Sequence, residues 1–116
     1  IWASSYEPFD FLVPHGGRYC RLQIKATTST HARPGEGKRY RFSTCRTACR
    51  HAGTKLPYSD GDFDIIGFFA LPPETMIFRH GIPSGKSVSI NPHQFRLPEI
   101  ERESWDIAWE RWCRST

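Results

Sequence analysis

The sequence lacks any long hydrophobic run, and no stretch approaches the roughly 20 apolar residues that a membrane-spanning helix needs. No charged segment followed by an apolar one, as in a secretion signal, is visible at its start. These absences argue against a membrane span within these residues. We therefore expect a soluble, cytoplasmic protein.

Cysteine is scarce, with four residues, Cys20, Cys45, Cys49 and Cys113, in a chain of 116. Their number and spacing do not suggest a disulfide framework. Cys45, Cys49 and His51 have the spacing of half a zinc site, but no second ligand pair follows at the spacing of a zinc finger. We expect reduced and mostly buried thiols, and whether Cys45, Cys49 and His51 bind a metal stays open.

Acidic residues are nearly absent from one part of the chain. Between Arg18 and Lys55, ten lysines and arginines face Glu36 as the only acid, and the whole chain has a formal net charge of +4. A surface of this kind suits the phosphate backbone of a polyanion. An ordinary solvated face is the alternative for any single arginine in this region.

The composition is otherwise that of a packed globule. Hydrophobic residues make up 38% of the chain and aromatic residues 14%, which excludes an intrinsically disordered protein. At 116 residues the chain is long enough for one core and short for two. We predict a single domain over 1–116.

Two runs of apolar and β-branched residues, at 9–13 and 18–28, flank a Gly-Gly connection and predict a β-hairpin. Three polar side chains interrupt these runs. Side chains alternate between the faces of a strand, so Gln23 and Lys25 share one face. In the register that the short connection allows, Asp10 joins them from the first strand.

An acid, an amide and an amine in one place suit metal-assisted hydrolysis of a phosphodiester. Carboxylate and amide oxygens, here from Asp10 and Gln23, are ligands that Mg²⁺ accepts beside water and phosphate oxygens. The amine of Lys25 can orient the attacking water or stabilise the pentavalent phosphate. The alternative is a solvated edge strand, with Asp10 accepting hydrogen bonds in a turn after Pro8.

The pattern Asp-x12-Gln-x-Lys, in the settings at 6–13 and 22–25, resembles the PD-(D/E)XK nuclease superfamily. Within it, the chain is most similar to group I intron-associated homing endonucleases, in which glutamine replaces the second acid. The resemblance implies Asp10 as a metal ligand, Gln23 as a weaker second ligand and Lys25 as the catalytic lysine. It also implies Mg²⁺ or Mn²⁺ as cofactor and double-stranded DNA as substrate. Because two sites related by symmetry are the simplest way to cut both strands of a duplex, we expect a homodimer or higher homo-oligomer.

The sequence departs from that family in two ways. Members usually carry another acid, often a glutamate, on a helix before the first strand, and only nine residues precede Asp10. We therefore expect an incomplete chain whose N-terminal helix is missing. Glu7 is a poor substitute because Pro8 keeps its neighbourhood extended. Gln23, the second departure, is neutral and attracts a dication less than a carboxylate does.

These departures leave two further functions open. One is a catalytically degenerate module on the same fold that binds nucleic acid or a protein partner. The other is an unrelated small α+β interaction protein, in which Asp10, Gln23 and Lys25, the polar trio, would be ordinary surface residues. DNA binding would fall to Arg21, Lys38, Arg39 and Arg41.

Downstream patterns predict the rest of the fold. In order, they predict a polar loop over 29–37, a strand over 38–45, an irregular or helical segment over 46–61, a central strand over 62–71, a returning strand over 75–80 and a short strand over 88–90. Asp64, near the start of the central strand, either supports the polar trio or caps the strand entrance.

The last segment, 98–114, predicts a helix, because Pro98 suits a helix start and glutamates follow it. Trp105, Trp109 and Trp112 recur at helical spacing and form, with Ala108, a stripe that would cover the sheet. The predicted fold class is therefore α/β (α+β), a restriction-endonuclease-like mixed sheet with a C-terminal covering helix.

Overall fold

The structure is a computed structural model that describes residues 9–28, 30–33, 35, 37–47, 55–71 and 73–115. Nine strands precede two helices within these residues. The elements are β1 (Phe11–His15), β2 (Arg18–Thr27), β3 (Thr30–Arg33), β4 (Gly37–Ser43), β5 (Cys45–Thr47), β6 (Lys55–Pro57), β7 (Ile65–Ala70), β8 (Thr75–His80), β9 (Ser87–Ile90), α1 (Pro92–Phe95) and α2 (Ile100–Arg114). No helix in the described part of the chain is long and apolar enough to cross a membrane.

A mixed four-stranded sheet, ordered β1-β2-β7-β8, forms the centre of the fold. β1 and β2 make the predicted hairpin, in the register that pairs Phe11 with Leu22. Its tight turn uses Gly16 and Gly17, whose positive φ angles of 58° and 79° a residue with a side chain would adopt at a cost. β7 runs parallel to β2 and antiparallel to β8. Because β7 is covered on both faces, it is apolar throughout.

The helix α2 covers one face of this sheet, as the tryptophan stripe predicts. Ala108 and Trp112 are buried against Cys20 and Ile65. Trp105 meets Phe78 of β8 edge to face, with 4.9 Å between the ring centroids. The tryptophans therefore belong to the core of this layer, which confirms the covering helix.

The opposite face of the mixed sheet packs against a second sheet, ordered β3-β4-β9, and the short helix α1. Phe42 of β4 contacts Phe68 of β7, with ring centroids 5.0 Å apart, and α1 adds Phe95 to the same core. Two layers thus enclose the mixed sheet, and the polar trio lies on the face that the second sheet covers.

Several local predictions were wrong. The predicted loop over 29–37 contains β3, which pairs with β4 across a turn at Gly35, where φ is +81°. The irregular segment over 46–61 contains β6 and most of β5, which pair with each other. Alternation is too short in these strands to stand out from a polar loop.

The boundaries of two predicted elements also shift. The predicted strand over 38–45 divides at Thr44, whose N–H donates to the Lys86 carbonyl at 2.9 Å. The last helix begins at Ile100 rather than Pro98, because Glu99 takes a left-handed conformation with φ of +63°. α1 was not predicted, and Asn91 caps it by accepting from the His93 N–H at 2.9 Å.

Candidate functional site

Asp10 lies directly before β1 and is bound to β2 through both its backbone and its side chain. Its N–H donates to the Leu22 carbonyl at 2.8 Å, and its carboxylate Oδ2 accepts from the Ile24 N–H at 2.9 Å. A carboxylate thus takes the place of a backbone carbonyl at the end of the β1–β2 ladder. The two bonds hold Asp10 beside Gln23, the residue between the two partners.

Gln23 is a buried polar residue, with a relative exposure of 8%. Its neighbour on the adjacent strand β7 is Ile66, which belongs to the core. The amide Nε2 donates to the Ile24 carbonyl at 3.3 Å, so the amide oxygen is the atom left to bind a ligand. Burying an amide is costly unless its polar atoms form hydrogen bonds or bind a ligand. Gln23 is therefore unlike a surface residue without a function.

Lys25 lies on the same face of β2, roughly 7 Å along the strand from Gln23. Its Nζ donates to the Cys45 carbonyl at 3.1 Å and lies 5.1 Å from the centroid of the Tyr58 ring. β5 and the segment after β6 therefore hold the amine in one orientation. Neither Tyr58 nor the Cys45 carbonyl was predicted as a partner of Lys25, because only tertiary packing brings them to β2.

The donor set fits a small, hard cation that keeps most of its water. The Asp10 carboxylate retains Oδ1 and Gln23 its amide oxygen, and Mg²⁺ usually takes few protein ligands. Across the described residues, no three His, Cys, Asp or Glu side chains lie close enough to hold a metal by themselves. Glu7, the suggested extra acid, lies outside the described residues.

Arg21 and Asp64 form an ion pair beside the trio. The Asp64 carboxylate accepts from the Arg21 backbone N–H at 2.7 Å, and its Oδ1 accepts from Nη2 at 3.0 Å. In return the Asp64 N–H donates to the Arg21 carbonyl at 2.8 Å, and Arg21 Nη1 donates to the Gly61 carbonyl. The hydrogen bond that the Arg21 guanidinium donates to the Asp64 carboxylate raises the pKa of that guanidinium. The pair ties β2 to the entrance of β7.

The other residues suggested for DNA binding lie on β4. Arg41 and Lys38 are exposed and Arg39 is half-buried, while Tyr40 and Phe42 point into the core. The strand register places His31 beside Arg39 and Ser89 beside Arg41. The outer face of this sheet is therefore basic and polar at these positions, whereas Arg21 is engaged by Asp64.

The described cysteines are free thiols. Cys20 is fully buried under α2, and burial raises the pKa of its thiol to about 12. It therefore stays protonated at neutral pH and is a poor nucleophile. Cys45 is also buried, and its Sγ donates to the Lys86 carbonyl at 3.6 Å. The rest of the suggested zinc set, Cys49 and His51, lies outside the described residues.

The structure is similar to that of a bacterial homing endonuclease, I-Ssp6803I, with a TM-score of 0.64. The two sequences are 16% identical, and the match covers 97% of this chain and 78% of that chain. The likeness supports a homing endonuclease-like fold, a mixed α+β architecture with a C-terminal helix, and so confirms the predicted fold class. No family model and no curated protein matches the sequence.

Proposed function

We propose that the chain is a metal-dependent endonuclease that hydrolyses phosphodiester bonds of double-stranded DNA, on a PD-(D/E)XK type of site. The observation that carries this proposal is the pair of hydrogen bonds that fix Asp10 on either side of Gln23. They favour a shared ligand for the two oxygen donors. The likeness in fold to a homing endonuclease agrees with the assignment.

Asp10 and Gln23 would hold Mg²⁺ or Mn²⁺ through oxygen atoms. When bound, the ion lowers the pKa of a coordinated water and neutralises charge on the phosphate. Asp10 keeps its orientation through the Ile24 N–H, so it needs little rearrangement to bind the ion. The neutral amide of Gln23 predicts a weaker metal site than two carboxylates would give.

Lys25 would act on the phosphate or on the water that attacks it. Its amine donates to the Cys45 carbonyl, and the Tyr58 ring lies beside the amine. A lysine held in place offers its charge to the pentavalent phosphate without reorganisation at the moment of reaction. Arg39 and Arg41 would bind the DNA backbone through the outer face of β4, and the exposed Lys38 would contribute from the start of the same strand, on its other face.

Nicking of supercoiled plasmid tests the catalytic assignment. The wild-type protein should nick in the presence of Mg²⁺ or Mn²⁺ and stop when EDTA is added. Lys25→Ala should lower the nicking rate by about 100-fold or more, because it removes a positioned transition-state contact. Lys86→Ala, at an exposed residue, is the control and should nick like the wild type.

Two outcomes would contradict the proposal. One is no metal-dependent nicking by the wild-type protein, and the other is equal nicking by Lys25→Ala. DNA binding without nicking would instead identify the second candidate, a catalytically degenerate nucleic-acid-binding module. The neutral ligand at Gln23 is the observation that favours this alternative.

A further inference from the structure

Tyr58 lies beside the amine of Lys25, on the face of the mixed sheet that carries the polar trio. The Lys25 Nζ is 5.1 Å from the centroid of the Tyr58 ring. This separation is inside the about 6 Å within which the face of an aromatic ring attracts a cation. Both side chains are half-buried, so the contact is partly shielded from water while the site stays accessible to a substrate.

The Tyr58 ring is itself fixed by the core. It packs edge to face against the Phe63 ring, with 5.0 Å between the centroids and 77° between the planes. Phe63 is 2% exposed and belongs to the core between the mixed sheet and the second sheet. Core packing therefore sets the orientation of the ring that Lys25 meets.

A turn that follows Tyr58 anchors this residue to β2 as well. The Ser59 N–H donates to Asp62 Oδ2 at 2.8 Å, and the Asp62 N–H donates to the Ser59 carbonyl at 3.0 Å. Arg21 Nη1 donates to a carbonyl in the same turn. Because Arg21 and Lys25 lie on one face of β2, the turn holds Tyr58 to the strand that carries the amine.

The positive charge of Lys25 has no carboxylate partner among the described residues, where the ion pairs join other side chains. One of its three N–H groups donates to the Cys45 carbonyl, and the other contact is the Tyr58 ring. A carboxylate would orient the amine and also compensate its charge. The aromatic ring attracts a cation through its quadrupole and has no net charge.

We infer that Tyr58 is a positioning residue for Lys25, whose ring holds the ammonium group in place and leaves its charge available to a phosphate. The inference rests on the proposed function, in which Lys25 acts on the phosphate or on the attacking water. Tyr58 acts through the amine and does not touch the reacting atoms. The aromatic ring, and not the hydroxyl group, has this role, because the contact with Nζ is to the ring.

Single-turnover nicking of supercoiled plasmid with excess protein and Mg²⁺ tests the role of the ring. Tyr58→Leu should slow nicking by about tenfold, because the amine loses its orientation. Tyr58→Phe keeps the ring and should nick like the wild type. The control is Tyr19→Leu, at a tyrosine that is 56% exposed on the same face of β2, and it should also nick like the wild type.

Two further measurements separate positioning from a general loss of structure. The Kd of Tyr58→Leu for a fluorescent duplex, measured by anisotropy in EDTA, should stay within about twofold of the wild type, because the amine acts in the chemical step. In a Lys25→Ala background, Tyr58→Leu should slow the residual nicking no further. A structural defect would instead slow nicking by the same factor in both backgrounds.

Proton NMR tests the contact without any need for cleavage. The chain has four lysines, so Lys25→Arg identifies the Lys25 signals by their loss. In the wild type and in Tyr58→Phe, the Lys25 ε-methylene protons should lie upfield of those of the other lysines, because they lie near the face of an aromatic ring. Tyr58→Leu should abolish this upfield shift.

Wild-type nicking by Tyr58→Leu, with slow nicking by Lys25→Ala, would overturn the inference alone. Equally slow nicking by Tyr58→Phe and Tyr58→Leu would also overturn it, because the hydroxyl group would then be the active part. If the wild-type protein does not nick DNA, both the proposed function and this inference fail. Should Tyr58→Leu unfold, Lys25 signals without an upfield shift in the wild type would still overturn the inference.

Discussion

Individual side chains join the strands around the candidate site by hydrogen bonds to the backbone. The Asp10 carboxylate accepts from the Ile24 N–H of β2, where a backbone carbonyl would normally accept. Asp64 accepts hydrogen bonds from both the backbone and the guanidinium of Arg21. The sequence offered two roles for Asp64, namely support for the trio and a cap at the strand entrance. Its bonds with Arg21 lie where β7 begins, two residues along β2 from Gln23, so both roles remain compatible with its position.

Asp64→Asn tests the structural part of that role. The substitution leaves the half-buried Arg21 guanidinium without its counter-charge, and we expect a loss of about 1–2 kcal/mol in the free energy of unfolding. Urea denaturation measures it. Asp106→Asn removes one of the two exposed acidic partners of Arg102 and should change the stability by less than about 0.5 kcal/mol. Equal losses in the two variants would contradict a special role for the Arg21–Asp64 pair.

At the scale of the elements, close packing between β7 and its neighbours explains why residue 67 of this central strand is glycine. Gly67 lies in the middle of β7, where both faces are covered. An added Cβ would lie 2.5 Å from Met76 Sδ and 3.0 Å from both Ile24 Cδ1 and Phe78 Cε1. The Phe78 ring is in turn held by Trp105 of α2. The approach of α2 to the sheet therefore depends on a strand position without a side chain.

Gly67→Ala should destabilise the fold by about 1–3 kcal/mol, because the added methyl group must displace packed side chains. Thermal or urea unfolding gives the difference. Ser89→Ala, at an exposed position of β9, is the matched control and should stay within about 0.5 kcal/mol of the wild type. A neutral Gly67→Ala would mean that Met76 and its neighbours move aside freely.

At the scale of the whole molecule, the proposed nuclease has one catalytic trio in each chain. Cutting both strands of a duplex is simplest with two copies related by twofold symmetry, so we predict a homodimer on DNA. Sedimentation velocity with a short duplex should show two chains of 13.4 kDa in each complex. A one-to-one complex at every protein concentration would contradict this prediction.

The sequence by itself determined the elements with strong local patterns. The Gly-Gly hairpin, the apolar β7, its partner β8 and the tryptophan-striped α2 were all predictable, because each has a periodicity or a continuous apolar run long enough to read. Weak patterns failed. β3 has only four residues, and its pairing with β4 depends on a partner rather than on its own side chains.

The candidate site was likewise predictable in part from the sequence and decided in part by the tertiary structure. The residue types and spacing of Asp10, Gln23 and Lys25 were visible in the sequence, since they interrupt apolar strands. Only the tertiary structure decided what surrounds them: the Ile24 N–H on Asp10, the Cys45 carbonyl on Lys25 and the pairing of Arg21 with Asp64. Local patterns fix what each strand can be, and packing between distant segments fixes which polar groups meet.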